Sequence, residues 1–339
     1  MSEYAGDVVA DLELMVSRSL SCWDLPPVTR VRLLNLSENA TFALEAGGGG
    51  DMVLRVHRMG YCSAEEIRSE LAWIMALRKD RVIDTARPIP GRDGEFVQRL
   101  ESPSGRPARH AVAFERLPGA EPSPETNAIP WFEALGELTA RMHRHVETWP
   151  LPAGFSRKRW DLDAMIGPHG YWGPWRAATG LDSAGTQVIE AALALIRRRL
   201  EVFGTRPERF GLVHADLRLA NLLAENGNLR IIDFDDCGFS WFMYDFAAAV
   251  SFIEHDPRVP ALLEAWAVGY RKTAPLAPAD IDEIPTFVAL RRILLCAWVA
   301  SHAEVPIAIQ LGAGYTEGTV AIAEKLLRGR FLFTRKELP

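Results

Sequence analysis

The stretch His214-Ala215-Asp216-Leu217-Arg218-Leu219-Ala220-Asn221-Leu222-Leu223, followed by Ile231-Ile232-Asp233-Phe234-Asp235-Asp236, decides how this chain is read. It has the form H-x-D-x-x-x-x-N, with another aspartate twelve residues past the asparagine at the end of an apolar run. Phosphoryl transfer asks little covalent work of a protein. It needs an aligned hydroxyl, a carboxylate to take its proton, and metal ions to hold the phosphates. Asp216 suits the carboxylate, while Asn221 and Asp233 offer hard oxygens to one metal. Magnesium takes few such ligands from protein and completes its octahedron with phosphate and water. A lone Asp on a loop is ordinarily a turn former, so the joint spacing of the three carries the reading.

Working outward, the residues before this stretch are strand-rich. Tyr4 to Leu20 has helical spacing, Pro26 and Pro27 break the chain, and Val31–Leu36, Thr41–Leu44 and Met52–Val56 read as strands. Gly47 to Gly50 is a hairpin turn, with neither the Lys nor the following helix of a phosphate cradle. Ser63 with Glu66 is a capping-box pattern that opens a helix to about Leu77. Glu95–Leu100 and His110–Leu117 complete a small sheet. From Pro130 onward the pattern is helical, at Trp131–Met142, Thr186–Phe203 and from Tyr244 to the end. Only two short strands, Gly211–Val213 and Leu229–Ile232, are expected to interrupt it. A β-rich lobe followed by a helical one is therefore predicted, an α+β fold.

The stretch resembles the catalytic and metal-binding loops of the aminoglycoside phosphotransferase/choline kinase family, and within it the stress-response kinase and type II homoserine kinase branches. The likeness in lobe order covers nearly the whole chain. It implies a bilobal protein-kinase-like fold with a small antiparallel β-sheet N-lobe carrying one helix and a larger helical C-lobe. Residues 1–30 would form an N-terminal helix and linker, 31–118 the nucleotide-binding lobe, and 119–339 the lobe with the catalytic loops and the acceptor site. ATP and Mg2+ are the implied cofactors.

By the same resemblance Asp216 matches the general base, Asn221 and Asp233 the metal ligands, and His214 the residue that orients the loop. Asp245 matches the aspartate that pins the loop from the next helix, and a helix N-terminal carboxylate is the alternative reading. Arg218 lies where a cation can meet the transferred phosphate, or it faces solvent. Arg55 stands where kinases usually have lysine, with Glu70 as its ion-pair partner; a surface salt bridge is the competing reading. Ser37 and Asn39 lie in the turn that covers the phosphates or simply shape it. Glu115 and Leu117 belong to the hinge that meets the adenine edge, and Val53, Leu223 and Ile232 sandwich the ring or lie in the core.

Bulk properties narrow the function further. The net charge of -6 gives no electrostatic footprint for nucleic acid. Arg157-Lys158-Arg159 reads as a solvated surface turn, and Asp235-Asp236 as a solvated acidic turn, with a second metal or a cationic acceptor as the alternative roles. Four scattered cysteines without a C-x-x-C pair argue against zinc and disulfides and for a reducing cytoplasm. The most apolar run, Ile284 to Ile309, is broken by Arg291, Arg292, His302 and Glu304, so a buried helix is expected and no membrane span. Tyr171, Trp172 and Trp175 read mostly as core, with Trp241 the best candidate for an acceptor pocket.

A small-molecule hydroxyl is the expected acceptor, on an amino alcohol, hydroxy amino acid, sugar or antibiotic. A serine/threonine protein kinase and a pseudokinase without turnover are the alternatives. The short run from Cys237 to Trp241 leaves no visible activation segment. Oligomeric state is not legible.

Overall fold

The computed structural model describes residues 6–25, 28–37, 39–46, 50–123 and 127–332. Tyr4, Pro26, Pro27, Glu38 and most of the glycine turn, Gly47–Gly49, lie outside them. The chain forms two compact units: Met1–Gly119 with Leu151–Arg157, and Ala120–Pro150 with Lys158–Pro339.

The first unit begins with α1 (Gly6–Ser19). Its Val8, Leu12, Met15 and Val16 recur at helical spacing, and all are buried. They share one hydrophobic core with Phe42, Leu54, Val56, Leu100 and Ala111 of the sheet, so the helix is part of this unit's core. The sheet comprises β1 (Val28–Leu36), β2 (Ala40–Ala46), β3 (Met52–Val56), β4 (Pro88–Ile89), β5 (Gln98–Leu100) and β6 (Arg109–Glu115). Its order is β1-β2-β3-β6-β4, with β5 also on β6, and every pairing is antiparallel. Strand β4, a Pro-Ile pair, is too short to show a period in sequence.

Between β3 and β4 runs α2 (Ala64–Lys79). The Ser63 hydroxyl accepts from Glu66 N–H at 3.2 Å and the Glu66 carboxylate accepts from Ser63 N–H at 2.8 Å, so the capping box forms. Ile67, Glu70, Leu71, Ile74 and Leu77 make its buried face.

The second unit contains α3 (Ile129–Thr148), β7 (Lys158–Arg159), α4 (Leu162–Ile166), α5 (Ser183–Phe203), β8 (Phe210–Val213), β9 (Leu222–Glu225), β10 (Asn228–Ile231), β11 (Gly238–Trp241), α6 (Tyr244–Ala249), α7 (Val259–Arg271), α8 (Pro278–Ser301) and α9 (Pro306–Leu327). Five strands, rather than the two expected, occur among its described residues. They form a β9–β10 hairpin and a three-stranded sheet of order β7-β11-β8. The missed strands have two to four residues, too few for a period to appear.

The tripeptide Arg157-Lys158-Arg159 is not a solvated turn. Lys158 is 5% exposed, and its strand pairs in parallel with β11. Helix α8 is long and apolar enough to cross a membrane by length and composition, although Arg291 and Arg292 interrupt its apolar run. Yet 89% of its most apolar window is buried inside the protein, as the core helix of this unit. Arg292 on this helix donates to Glu254 Oε2 at 2.6 Å, Thr319 Oγ1 at 2.9 Å and Tyr315 O at 3.0 Å, tying α8 to α9.

Helices α3 and α7 cross where Gly136 meets the Trp266 carbonyl and Gly269 meets the Glu133 carbonyl. A Cβ at either glycine would overlap the facing backbone, which has no flexible end to yield. Gly269→Ala is therefore expected to destabilise the protein by at least the ~1–3 kcal/mol typical of overpacking. Chemical denaturation checks this; an unchanged midpoint would show that the helices separate freely.

Candidate active site

Strand β8 delivers the chain into His214, Ala215 and Asp216. Ala215 has φ +68°, a left-handed conformation that a residue with a Cβ rarely adopts. Asp245, fully buried in the first turn of α6, holds it there. Its Oδ1 accepts from Ala215 N–H at 2.7 Å, and its Oδ2 accepts from His214 N–H at 3.2 Å and His143 Nε2 at 3.0 Å. The pinning expected of Asp245 is thus present, and its place at a helix N-terminus holds as well. His143, on α3, also meets the Tyr270 hydroxyl at 3.0 Å through Nδ1. His214 accepts from Asp216 N–H at Nδ1, 3.2 Å, leaving Nε2 to donate to Ile232 O at 3.2 Å. These partners assign a neutral imidazole that braces the loop from inside.

The Asp216 carboxylate faces three donors. Arg291 Nη2 reaches Oδ1 at 2.9 Å, while Arg218 Nε at 3.1 Å and Asn221 Nδ2 at 2.6 Å reach Oδ2. Arg218 is therefore an ion-pair partner of Asp216, with its side chain 24% exposed. Arg291 appeared in sequence only as a charge interrupting an apolar run. That anomaly was the available signal, because a charge in a buried helix needs a partner.

The β9–β10 hairpin joins the two metal-ligand candidates. Its loop is Asn226-Gly227, both with positive φ, the two-residue turn that suits a twisted hairpin. Leu222 pairs with Ile231 at its open end, and Ile232 N–H donates to Asn221 O at 3.0 Å, which brings Asn221 and Asp233 close in the fold. Asn221 Nδ2 also donates to Asp216 O at 2.9 Å, so its Oδ1 is the end left for a cation. Asp233 sits at φ +64°, which aspartate tolerates better than most residues. Among the described residues no cluster of three or more His, Cys, Asp or Glu groups forms a metal site. Two hard oxygens beside a triphosphate fit magnesium, so the residues match the implied ion.

Other residues of the neighbourhood depart from expectation. Asp235 and Asp236 are buried, at 7% and 6% exposed, and do not form a solvated turn. Asp236 accepts from Lys158 Nζ at 3.1 Å, and its main-chain oxygen accepts from Trp160 Nε1 at 2.7 Å. Trp241 is core rather than pocket: its Nε1 donates to Gly204 O at 2.8 Å and its ring packs on Phe210 and Phe287. Leu223 and Ile232 are half-buried, unlike their fully buried neighbours Leu222 and Ile231.

In the first unit, Arg55 Nη2 bonds both Glu70 oxygens, at 2.6 and 2.7 Å, with the side chains 6% and 0% exposed. The pair is buried, so the surface reading is excluded. The Arg55 guanidinium also lies 5.3 Å from the Phe114 ring centre. Val53 is half-buried. Ser37 N–H donates to Asn39 O, and Asn39 is buried with its Oδ1 accepting from Arg58 N–H at 3.1 Å. Asn39 thus shapes the turn instead of presenting that oxygen outward. Glu115 N–H and Arg116 N–H are taken by Arg87 O and Asp51 O, and the Glu115 carboxylate by Arg78 and Arg87. Of the expected hinge donors, only Leu117 N–H has no protein acceptor among the described residues.

Residues 30–280 match the model of the phosphotransferase enzyme family. The chain belongs to this family. It is a kinase, and it has the protein-kinase-like fold of the solved structures it resembles. A solved structure of a microcompartment-associated aminopropanol kinase is 42% identical, with a TM-score of 0.87, covering 94% of this chain and 98% of that one. A second, of an amicoumacin kinase in complex with AMP-PNP, Ca2+ and Ami, is 21% identical with a TM-score of 0.78 over 98% of both chains. The amicoumacin kinase of Bacillus subtilis (strain 168) is 27% identical over 244 residues, 69% of each chain.

Two expectations follow for this phosphotransferase. Asp245→Asn turns an amide donor toward the N–H groups that the carboxylate satisfied. It should cost about 1–3 kcal/mol for each donor left unmet and lower kcat, measured by thermal unfolding and initial rates. Arg55→Ala strands a buried Glu70 charge and should destabilise by about 3–5 kcal/mol, with Arg55→Lys recovering part of the loss. Equal stability of Arg55→Ala and wild type in urea would show that Glu70 finds another partner.

Proposed function

We propose that this enzyme transfers the γ-phosphoryl group of ATP to the hydroxyl of a small amino alcohol. The hydroxyl oxygen attacks the γ-phosphorus, the bond to the β–γ bridging oxygen breaks, ADP leaves, and the hydroxyl proton passes to Asp216. Asp216 is the general base, and Arg218 moves toward the phosphoryl group to stabilise its charge. Asn221 and Asp233 hold Mg2+, which offsets phosphate charge. In the first unit, residues 31–118 take the nucleotide, with Arg55, oriented by Glu70, toward the phosphates, Ser37 over them and Leu117 toward the adenine. Residues 119–339 take the acceptor. A reducing cytoplasm suits the four unbridged cysteines.

The carrying observation is the Asp216 carboxylate, fixed by donors on a loop whose Asn221 is joined to Asp233 through the β9–β10 hairpin. The class of acceptor is supported by the 42% identity to an aminopropanol kinase across nearly the full length of both chains. A small acceptor is also favoured over a protein by the segment after Asp233. It passes through β11, whose Ser240 is fully buried, directly into α6, with no length for an activation segment.

The test is ADP release with Mg2+ATP against 1-amino-2-propanol, ethanolamine, choline, homoserine, sugars, an aminoglycoside and a serine peptide. Amino alcohols are expected to turn over fastest. Asp216→Asn should lower kcat by about 10²–10⁴-fold while ATP still binds, and chelation of the metal should abolish turnover. Release driven by none of the amino alcohols would reject the acceptor assignment, and wild-type rates in Asp216→Asn would reject the base.

A further inference from the structure

Arg291 lies on α8, a helix buried nearly all round, and its side chain is 2% exposed. Each guanidinium nitrogen has a partner: Nε donates to Ser251 Oγ at 3.2 Å, Nη1 to the Tyr244 hydroxyl at 3.0 Å and Nη2 to Asp216 Oδ1 at 2.9 Å. The Trp172 and Tyr244 rings lie 5.3 and 5.7 Å from it. Burial opposes its charge, but Tyr244 and Asp216 outweigh that and raise its pKa above the ordinary arginine value. Burial pushes the Tyr244 hydroxyl up to about 12, so it stays neutral and able to accept.

Stability does not account for such a residue. Burying a guanidinium is costly, and well-packed apolar replacements of buried ion pairs are often neutral or stabilising. Nor does Arg291 tie α8 to α9, since the neighbouring Arg292 does so with its own partners. What Arg291 reaches is the carboxylate proposed as the base. An ionised carboxylate has about four lone-pair sites, and donors from the described residues meet one on Oδ1 and two on Oδ2. When the more exposed Arg218 leaves for the phosphoryl group, a carboxylate held from one side only would be free to turn about χ2. Arg291 prevents that.

We infer that Arg291 is the positioning residue of Asp216, holding Oδ1 fixed throughout turnover while Arg218 comes and goes. This rests on the reading of Asp216 as base. A double-mutant cycle on kcat tests both, because a positioning residue acts only through the group it positions. In the wild-type background Arg291→Met should lower kcat by about 10–100-fold, the scale of a slightly misplaced catalytic group. The KM for ATP should stay within about two-fold. Arg291→Lys should recover part of the loss. In the Asp216→Asn background Arg291→Met should change kcat by less than about two-fold. Thermal unfolding of each variant normalises the rates to folded enzyme. Should Arg291→Met fail to fold, Tyr244→Phe removes one of the three holds and should show a milder loss with the same dependence on Asp216. Equal losses in the two backgrounds, or no loss in wild type, overturn the positioning role alone. Full turnover in Asp216→Asn by itself overturns the base and this role with it.

Discussion

One buried carboxylate organises the second unit. Asp245 meets two consecutive backbone N–H groups and an imidazole, and those contacts keep Ala215 at a positive φ that its Cβ disfavours. Without that anchor the chain leaving β8 would relax toward extended backbone, and Asp216 would no longer point where Arg291 and Asn221 meet it. The His143 contact gives the anchor its own support from α3, and Tyr270 extends it to α7. Sheet edge, the loop of Asp216 and three helices thus converge on one buried group.

The order of a sheet-rich segment before a helical one was legible because long elements carry their period. The mostly apolar run Met52–Val56, buried at four of its five positions, and the 3.6-residue stripe of α1 each identify an element on their own. Ser63 with Glu66 announced α2 through side-chain chemistry that needs no tertiary context. The site motif was legible for a related reason: Asp216 and Asn221 lie within one loop, and a short hairpin links them to Asp233, so sequence spacing translates almost directly into distance.

The rest depended on partners far away in sequence. Asp236 finds Lys158 across 78 positions, and Arg291 reaches Asp216 across 75. No local pattern reports such pairs, so Lys158 and Asp236 read as ordinary surface charges. Trp241 misled for the opposite reason. Proximity to Asp233 suggested a pocket, but its ring settles between Phe210 and Phe287 once α8 packs beneath it. The Asn226-Gly227 turn was the one overlooked signal that sequence alone carried in full.

The adjacency of Arg291 and Arg292 constrains how this chain can vary. One reaches Asp216 and the other reaches Glu254 and α9, so together they fix the rotation of α8 about its axis. Inserting or deleting a single residue between Pro278 and Arg291 would turn both by about 100°, breaking two buried ion pairs and stranding both guanidinium groups and Glu254, while Asp216 would keep Arg218 and Asn221. Length changes in evolution or engineering are thus confined to the segments outside this helix.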